Sequence, residues 1–270
     1  MLYTADGRAV LKHWRGNDFG KEEIIVTNVR ANSTASYIPT PKGDMLVYIT
    51  DSSTVAIAQF DEDEEEWVED TNLPQCEVHP SGQLIATLAV DGDIVVVFQD
   101  AEGHLVYLQE PDDERGAWSV TEIEGAHKPT FGTPLCICLN PNSLHLHVVY
   151  VSSNDNDIHS ATMEEDGAWV DALMCSAAAH GNDGASLKRI FMANRSEHTE
   201  NTMYAITHEG RLLQLAPSQT PVDLGRMEKD GSVVPSTTAE CCVHIFGLRI
   251  TFDFHLSVGF ETKKRRGRFF

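Results

Sequence analysis

The sequence predicts an all-β protein, a five- to six-bladed β-propeller with incomplete termini, and three observations lead there. First, one strand–turn–strand unit recurs, as "LYTADGRAVLKHW", "MLVYITDSSTVAIAQF", "VVVFQDAEGHLVYLQ", "HVVYVSSNDNDIHSATM" and "TMYAITHEGRLLQLA". Second, Trp67, Trp118 and Trp169 follow three of these units at intervals of 51 residues, with Phe19 placed comparably 48 residues before Trp67. Third, almost no stretch carries the 3.6-residue period of an amphipathic helix. A repeat of about 50 residues holding three or four short strands fits one propeller blade, whose faces are buried by its neighbours.

Each element follows from local chemistry. The strands are runs of Val, Ile, Leu, Tyr and Phe, and Gly, Asp and Asn cluster where the chain must turn. A further apolar segment, such as "QLIATLAVDG" or "TPLCICLNPN", precedes most hairpins and supplies another strand. The Trp closing a blade is read first as a packing residue between neighbouring sheets and second as a ligand-stacking ring. The first blade opens at the second strand of its unit. The end, "STTAECCVHIFGLRITFDFHLSVGFETKKRRGRFF", has neither hairpin pattern nor closing Trp. The expected organisation is therefore a propeller over residues 1–235 and an atypical segment over 236–270, in which "GLRITFDFHLSV" could complete a blade edge.

Composition excludes several classes of function. The chain carries 41 acidic and 20 basic residues, a formal charge of −21, and five of the basic residues fall in the last eight positions. Such a body repels phosphate backbones, so no nucleic-acid partner is expected. No apolar run reaches the roughly 18 residues of a membrane span, and the start has no charged segment followed by an apolar one of the signal-peptide kind. The six cysteines have no CxxC spacing and read as buried thiols. The triplets Asn32-Ser-Thr and Asn194-Arg-Ser are glycosylation sequons, which leaves the compartment open.

Motifs for chemistry are few. No GxSxG, P-loop, HExxH or dinucleotide fingerprint occurs, so no cofactor is expected. His145 and His147 form an HxH on one strand face, a zinc-compatible spacing without further ligands in register, and no metal site is assigned. "SSNDNDIH" offers oxygen ligands without the spacing of a calcium loop. "FDEDEEEWVED" reads as a solvated acidic loop and "KKRRGR" as a solvated tail.

Over residues 2–225 the units resemble the fungal fucose-specific lectins, six-bladed propellers whose blades read roughly "RVYYQDxxGxIREHxWDGxxW". The closest segments are "VVVFQDAEGHLVYLQ" and "DNDIHSATMEEDGAW". In that family an Arg on a blade's second strand and a Glu on its third bind the sugar hydroxyls, while an aromatic ring covers the apolar face. Aligned turn to turn, the Arg positions fall here on Leu46, Val95, His147 and Thr202. The Glu positions fall on Leu11, Ile57, Tyr107, Ser160 and Gln214. No blade keeps the pair, and each lost hydrogen bond costs about 1–3 kcal/mol, so fucose binding by the family mechanism is not expected.

Two functions follow from what replaces the pair. Leu46, Val95 and Ile57 suggest apolar clefts suited to an apolar small molecule, or clefts that have filled in as core. Ser160, Thr202 and Gln214, with Trp118 and Trp169, complete the expected ligand-binding set. A further fold-level resemblance is to fungal hetero-Diels–Alderases of tropolone–sesquiterpenoid biosynthesis. It implies a cofactor-free cycloaddition, with His147, Tyr107 and His159 as hydrogen-bond donors. The alternative is a carbohydrate-binding lectin of altered, non-fucose specificity.

Overall fold

The computed structural model describes residues 2–14, 19–40, 43–89, 91–111, 117–139, 145–164, 166–176, 187–193, 202–216, 221–228, 233–236, 242–245, 248–253 and 257–260. For Trp14, Phe19, Leu139, Ala193, Thr202 and everything after residue 241 the description covers the backbone alone. The second sequon at Asn194 and the basic tail from residue 261 lie outside the described residues.

All regular structure among the described residues is β, arranged as small antiparallel sheets in chain order. The first sheet is β1 (Leu2–Ala5), β2 (Arg8–Trp14) and β3 (Phe19–Thr27). The second is β4 (Ala35–Thr40), β5 (Gly43–Ile49), β6 (Val55–Asp61) and β7 (Glu66–Glu69). The third is β8 (Leu84–Leu88), β9 (Ile94–Gln99), β10 (Leu105–Gln109) and β11 (Ser119–Glu122). The fourth is β12 (Cys136–Leu139), β13 (Leu146–Val151), β14 (Ile158–Met163) and β15 (Trp169–Cys175). A five-stranded sheet follows, made of β16 (Leu187–Ala193), β17 (Thr202–Thr207), β18 (Arg211–Leu215), β19 (Val222–Met227) and β20 (Val233–Pro235). Last come β21 (Cys242–Ile245), β22 (Leu248–Asp253) and β23 (Ser257–Phe260), so the segment set apart in sequence carries three strands of its own.

Every hairpin expected from the repeat forms: β1–β2, β5–β6, β9–β10, β13–β14 and β17–β18. Their turns share one device. The residue at the same point of each turn has positive φ: Gly7 at 72°, Ser53 at 64°, Gly103 at 96°, Asn156 at 60° and Gly210 at 81°. Gly, Asn and small polar residues recur there because the left-handed conformation penalises a Cβ. The β13–β14 turn differs, since Ser152 N–H closes on the carbonyl of Asp157, whereas Thr50 closes on Thr54 and Asp100 on His104. It is one residue longer.

The chain divides into two compact units, Met1–Met174 and Cys175–Phe270. Within the first, the four sheets pack face against face in chain order, and each interface is one apolar cluster. Ala9, Leu11, Ile25, Leu46, Tyr48 and Ala58 join the first and second sheets. Met45, Val47, Ile57, Val96, Phe98, Leu108 and Trp118 join the second and third. Val95, Val97, Tyr107, Leu146, Val148, Tyr150 and Ala161 join the third and fourth. The middle strands are thus buried on both faces, which is why they read as continuous apolar runs such as "MLVYI" rather than alternating ones. Within the second unit Tyr204, Leu212, Leu224 and Val233 form a smaller core.

Candidate functional site

Turn geometry sets the register of the blades. Counting back from the residue that opens each turn (Thr50, Asp100, Ser152 or Thr207), the counterparts of Leu46 are Val96, Val148 and Met203. Three Arg positions read from sequence, Val95, His147 and Thr202, are therefore displaced by one residue. A one-residue slip sends a strand side chain to the opposite face. Val95 accordingly packs towards the fourth sheet and Val96 towards the second. The Glu positions hold their register, since Ile57, Tyr107, Ser160 and Gln214 stand equally far beyond their turns.

With the register corrected, the paired positions of the first four sheets meet inside one interface each. Leu11 joins Leu46, Ile57 joins Val96, and Tyr107 joins Val148. Leu46, Ile57, Val95, Val96 and Val148 have 0% exposure. At those five residues the grooves are filled as core and offer a ligand no surface.

The closing tryptophans pack where sequence places them, at the outer end of each interface. Trp118 is buried, and its indole N–H donates to Asp70 Oδ2 of the preceding sheet at 3.0 Å. Trp67 uses the same device more loosely, with Nε1 3.5 Å from Glu23 Oε1. Trp169, half-buried, meets the Tyr107 ring edge-on at 5.7 Å between centroids. The phenol of Tyr107 donates to Gln109 Oε1 at 3.2 Å, and burial followed by the charges of Asp91 and Asp93 pushes its pKa up to about 12. Tyr107 and Trp169 are thus brought together.

The first groove ends differently from the others. Beyond Leu11 and Leu46 it opens into an aromatic and acidic mouth. His13 and Glu23 come from the first sheet, and Tyr37, Asp44, Phe60 and Trp67 from the second. Strand pairing places these side chains on facing sheets: Leu11 lies opposite Glu23, Tyr37 opposite Leu46, and Phe60 opposite Trp67. The Trp67 ring, half-buried, lies 5.5 Å from Phe60 and 6.4 Å from Tyr37, both tilted. Tyr37 donates its hydroxyl to Asp44 Oδ2. Burial, then that hydrogen bond and the charges of Asp44 and Glu23, hold the phenol well above its usual range. His13 Nε2 stands 3.5 Å from Glu23 Oε2, and both side chains are about half exposed, at 59% and 46%. At the position of Asp44 the third and fourth sheets carry Ile94 and Leu146, both buried.

The other expected donors lie elsewhere. His159 is buried on the face towards the third sheet, with Nδ1 2.7 Å from Asp171 Oδ2 and Nε2 3.0 Å from Asp155 Oδ2. Burial acts to lower its pKa, but the hydrogen bonds it donates to Asp171 and Asp155 outweigh it and hold the imidazole above its ordinary value. Tyr150 donates to Asp171 Oδ1 at 2.6 Å and accepts the backbone N–H of His127 at 2.5 Å. Both nitrogens of His159 are therefore engaged in holding the fourth sheet together. His147 lies on the opposite face of the β13–β14 hairpin, its Nδ1 2.9 Å from Thr162 Oγ1, and burial lowers its pKa. Ser160 shares that face, and its buried Oγ is without a partner. Gln214 is half-buried on β18, and the side chain of Thr202 is outside the description. Of the three expected catalytic donors, Tyr107 and His159 thus face the interface between the third and fourth sheets, and His147 lies on the opposite face of its hairpin. Among the described residues no cluster of metal-ligating side chains occurs.

Sequence reasoning marked Trp67 as a repeat residue but missed Asp44, Glu23, Tyr37 and His13. The available signal was Asp44, a carboxylate at a strand position that is apolar in the two following blades.

Neither a protein-family model nor a curated protein matches the chain. Solved structures do. AofleA from Arthrobotrys oligospora superposes with a TM-score of 0.64 at 11% identity, over 92% of this chain and 77% of that one. The fucose-specific lectin from Aleuria aurantia gives 0.60 at 12%, over 94% and 87%. SapL1 lectin, solved with α-methyl fucoside, gives 0.59 at 16%, over 86% and 74%. The fold is therefore an all-β propeller of the kind seen in fucose lectins, as the repeat and the sequence resemblance imply.

Proposed function

We propose that this chain is a glycan-binding, lectin-like propeller whose site is the mouth of the groove between the first and second sheets. The observation that carries this is the half-buried Trp67 flanked by Tyr37 and Phe60, with Glu23 at its indole N–H and Asp44 at the Tyr37 hydroxyl. A pyranose has an apolar face that stacks on an indole and a rim of hydroxyls that donate to carboxylates. Both halves of that requirement are met within one groove. The Arg–Glu mode of fucose binding is not the basis, because the positions that would supply it between the first four sheets are core: Leu11 with Leu46, Ile57 with Val96 and Tyr107 with Val148.

The cofactor-free cycloaddition reading calls for an apolar groove to hold two apolar partners. It is the weaker reading, because Leu46, Val95 and Ile57 have no accessible surface, both His159 nitrogens are held by carboxylates, and His147 lies on the opposite face of the hairpin from His159. A glycan array probed with the full chain and with Trp67→Ala tests the proposal. Binding to at least one glycan that disappears in the variant is expected, with display on the array compensating for a weak single site. A silent array, or binding that Trp67→Ala leaves intact, overturns it.

A further inference from the structure

We infer that the sugar recognised in this groove is cationic, a protonated amino sugar rather than a neutral one. This rests on the glycan-binding reading above and adds the ligand's charge. The argument starts from a census of hydrogen-bonding groups. The two protein donors nearest the aromatic rings are already engaged, the Trp67 N–H on Glu23 and the Tyr37 hydroxyl on Asp44. Apart from the half-exposed His13 imidazole, which faces Glu23, what the mouth presents to a ligand is therefore acceptor capacity, the remaining lone pairs of two carboxylates. A neutral sugar hydroxyl both donates and accepts, and its acceptor half would find only His13 as a side-chain donor here. An ammonium has three donors and no acceptor, which is the complement of what the groove shows.

Charge points the same way. The one basic side chain within ion-pair distance of Glu23 among the described residues is His13, and none stands so near Asp44. Lys12, next in sequence to His13, alternates to the other side of β2, where it pairs with Glu22 at 2.7 Å and lies over the Tyr3 ring. Further into the same interface Glu69 accepts the Tyr48 hydroxyl at 2.5 Å, adding another carboxylate. A cation in the mouth is attracted both by the carboxylates and by the faces of Trp67, Tyr37 and Phe60. The other two grooves lack this combination: Ile94 and Leu146 replace Asp44, and Trp118 is buried.

The test is isothermal titration of the full chain with a tetramer of β-1,4-linked glucosamine and with its fully N-acetylated counterpart, at a pH that protonates the free amines. The glucosamine tetramer should bind roughly tenfold tighter, the scale of one cation–π contact with a partly exposed ion pair. Glu23→Gln with Asp44→Asn should remove that preference. A polycation adheres to any protein this acidic, so Trp67→Ala, which leaves the charge unchanged, is the decisive control. Binding that survives it is bulk attraction and overturns the inference. Equal affinity for the two tetramers, tighter binding of the acetylated one, or a preference that persists in the double variant also overturns it. If a neutral glycan binds in a Trp67-dependent manner, the site stands and only its assigned charge is wrong. A silent array removes both.

Discussion

Leu46→Ala separates a filled groove from an open one. Leu46 has 0% exposure and packs among Leu11, Tyr48 and Ala58 between the first two sheets. The substitution deletes three carbons, so the transfer contribution is about 2.4 kcal/mol at about 0.8 kcal/mol per buried methylene. The cavity left behind adds about 1–2 kcal/mol, because flanking sheets relax only partly around it, for a total of about 3–4 kcal/mol. Set against a domain stability on the order of 5–15 kcal/mol, the loss is large enough to move the urea midpoint clearly. Trp67 is packed against the same cluster, so its fluorescence reports this interface directly. Val68→Ala, at a side chain 47% exposed on β7, serves as the control and should change stability by less than about 0.5 kcal/mol. A Leu46→Ala loss below about 1 kcal/mol would mean that the side chain faces solvent, and the account of Leu11 and Leu46 as core would fail.

Three further perturbations test other parts of the structure. His159 is held above its ordinary pKa of 6.5 by Asp171 and Asp155 against the opposing effect of burial. Its contribution to stability is therefore complete below pH 6.5 and fades as pH rises through the folded-state value. His159→Gln should flatten the stability profile in that upper range, and an unchanged profile in thermal melts across pH would count against the doubly bonded imidazolium. Trp118→Phe keeps the ring but removes the N–H that reaches Asp70, and should cost about 2 kcal/mol in urea unfolding. Asp70→Asn, which keeps an acceptor, should cost less, and the reverse order would refute the assignment. Gly125→Ala would set a Cβ 2.4 Å from the Trp169 carbonyl oxygen, a backbone atom that cannot swing aside. Calorimetric melting should show a loss of about 1–3 kcal/mol.

The fold was largely legible because its signals are local. A positive-φ residue recurs at one point of each hairpin turn, at Gly7, Ser53, Gly103, Asn156 and Gly210, and the flanking apolar runs fix strand length. The 51-residue spacing of Trp67, Trp118 and Trp169 follows from one Trp closing each interface at its outer end. Facing was harder to read. Strands buried on both sides give no alternation to anchor the register, so Val95 and Val96, or His147 and Val148, look equivalent until the turn hydrogen bonds fix the count. The longer turn from Ser152 to Asp157 compounds this for the fourth sheet.

The candidate site was hidden for a different reason, since it is assembled from residues far apart in sequence. Glu23 reaches Trp67 across 44 positions, and nothing near either residue announces the contact. What distinguishes the site is a contrast between copies, Asp44 where the next two sheets have Ile94 and Leu146. In those interfaces the apolar side chain continues the core, and in the second one Trp118 is drawn inside. In the first, the carboxylate of Asp44 at the same strand position is satisfied by the Tyr37 hydroxyl rather than replaced by an apolar side chain, so this end of the interface is polar. Leu11 and Leu46 beneath it are buried in the cluster that packs the two sheets together, and Glu23 stands beside Trp67 across them. The apolar core at Leu11 and Leu46 and the aromatic, acidic residues beyond it are in this sense parts of the same packing.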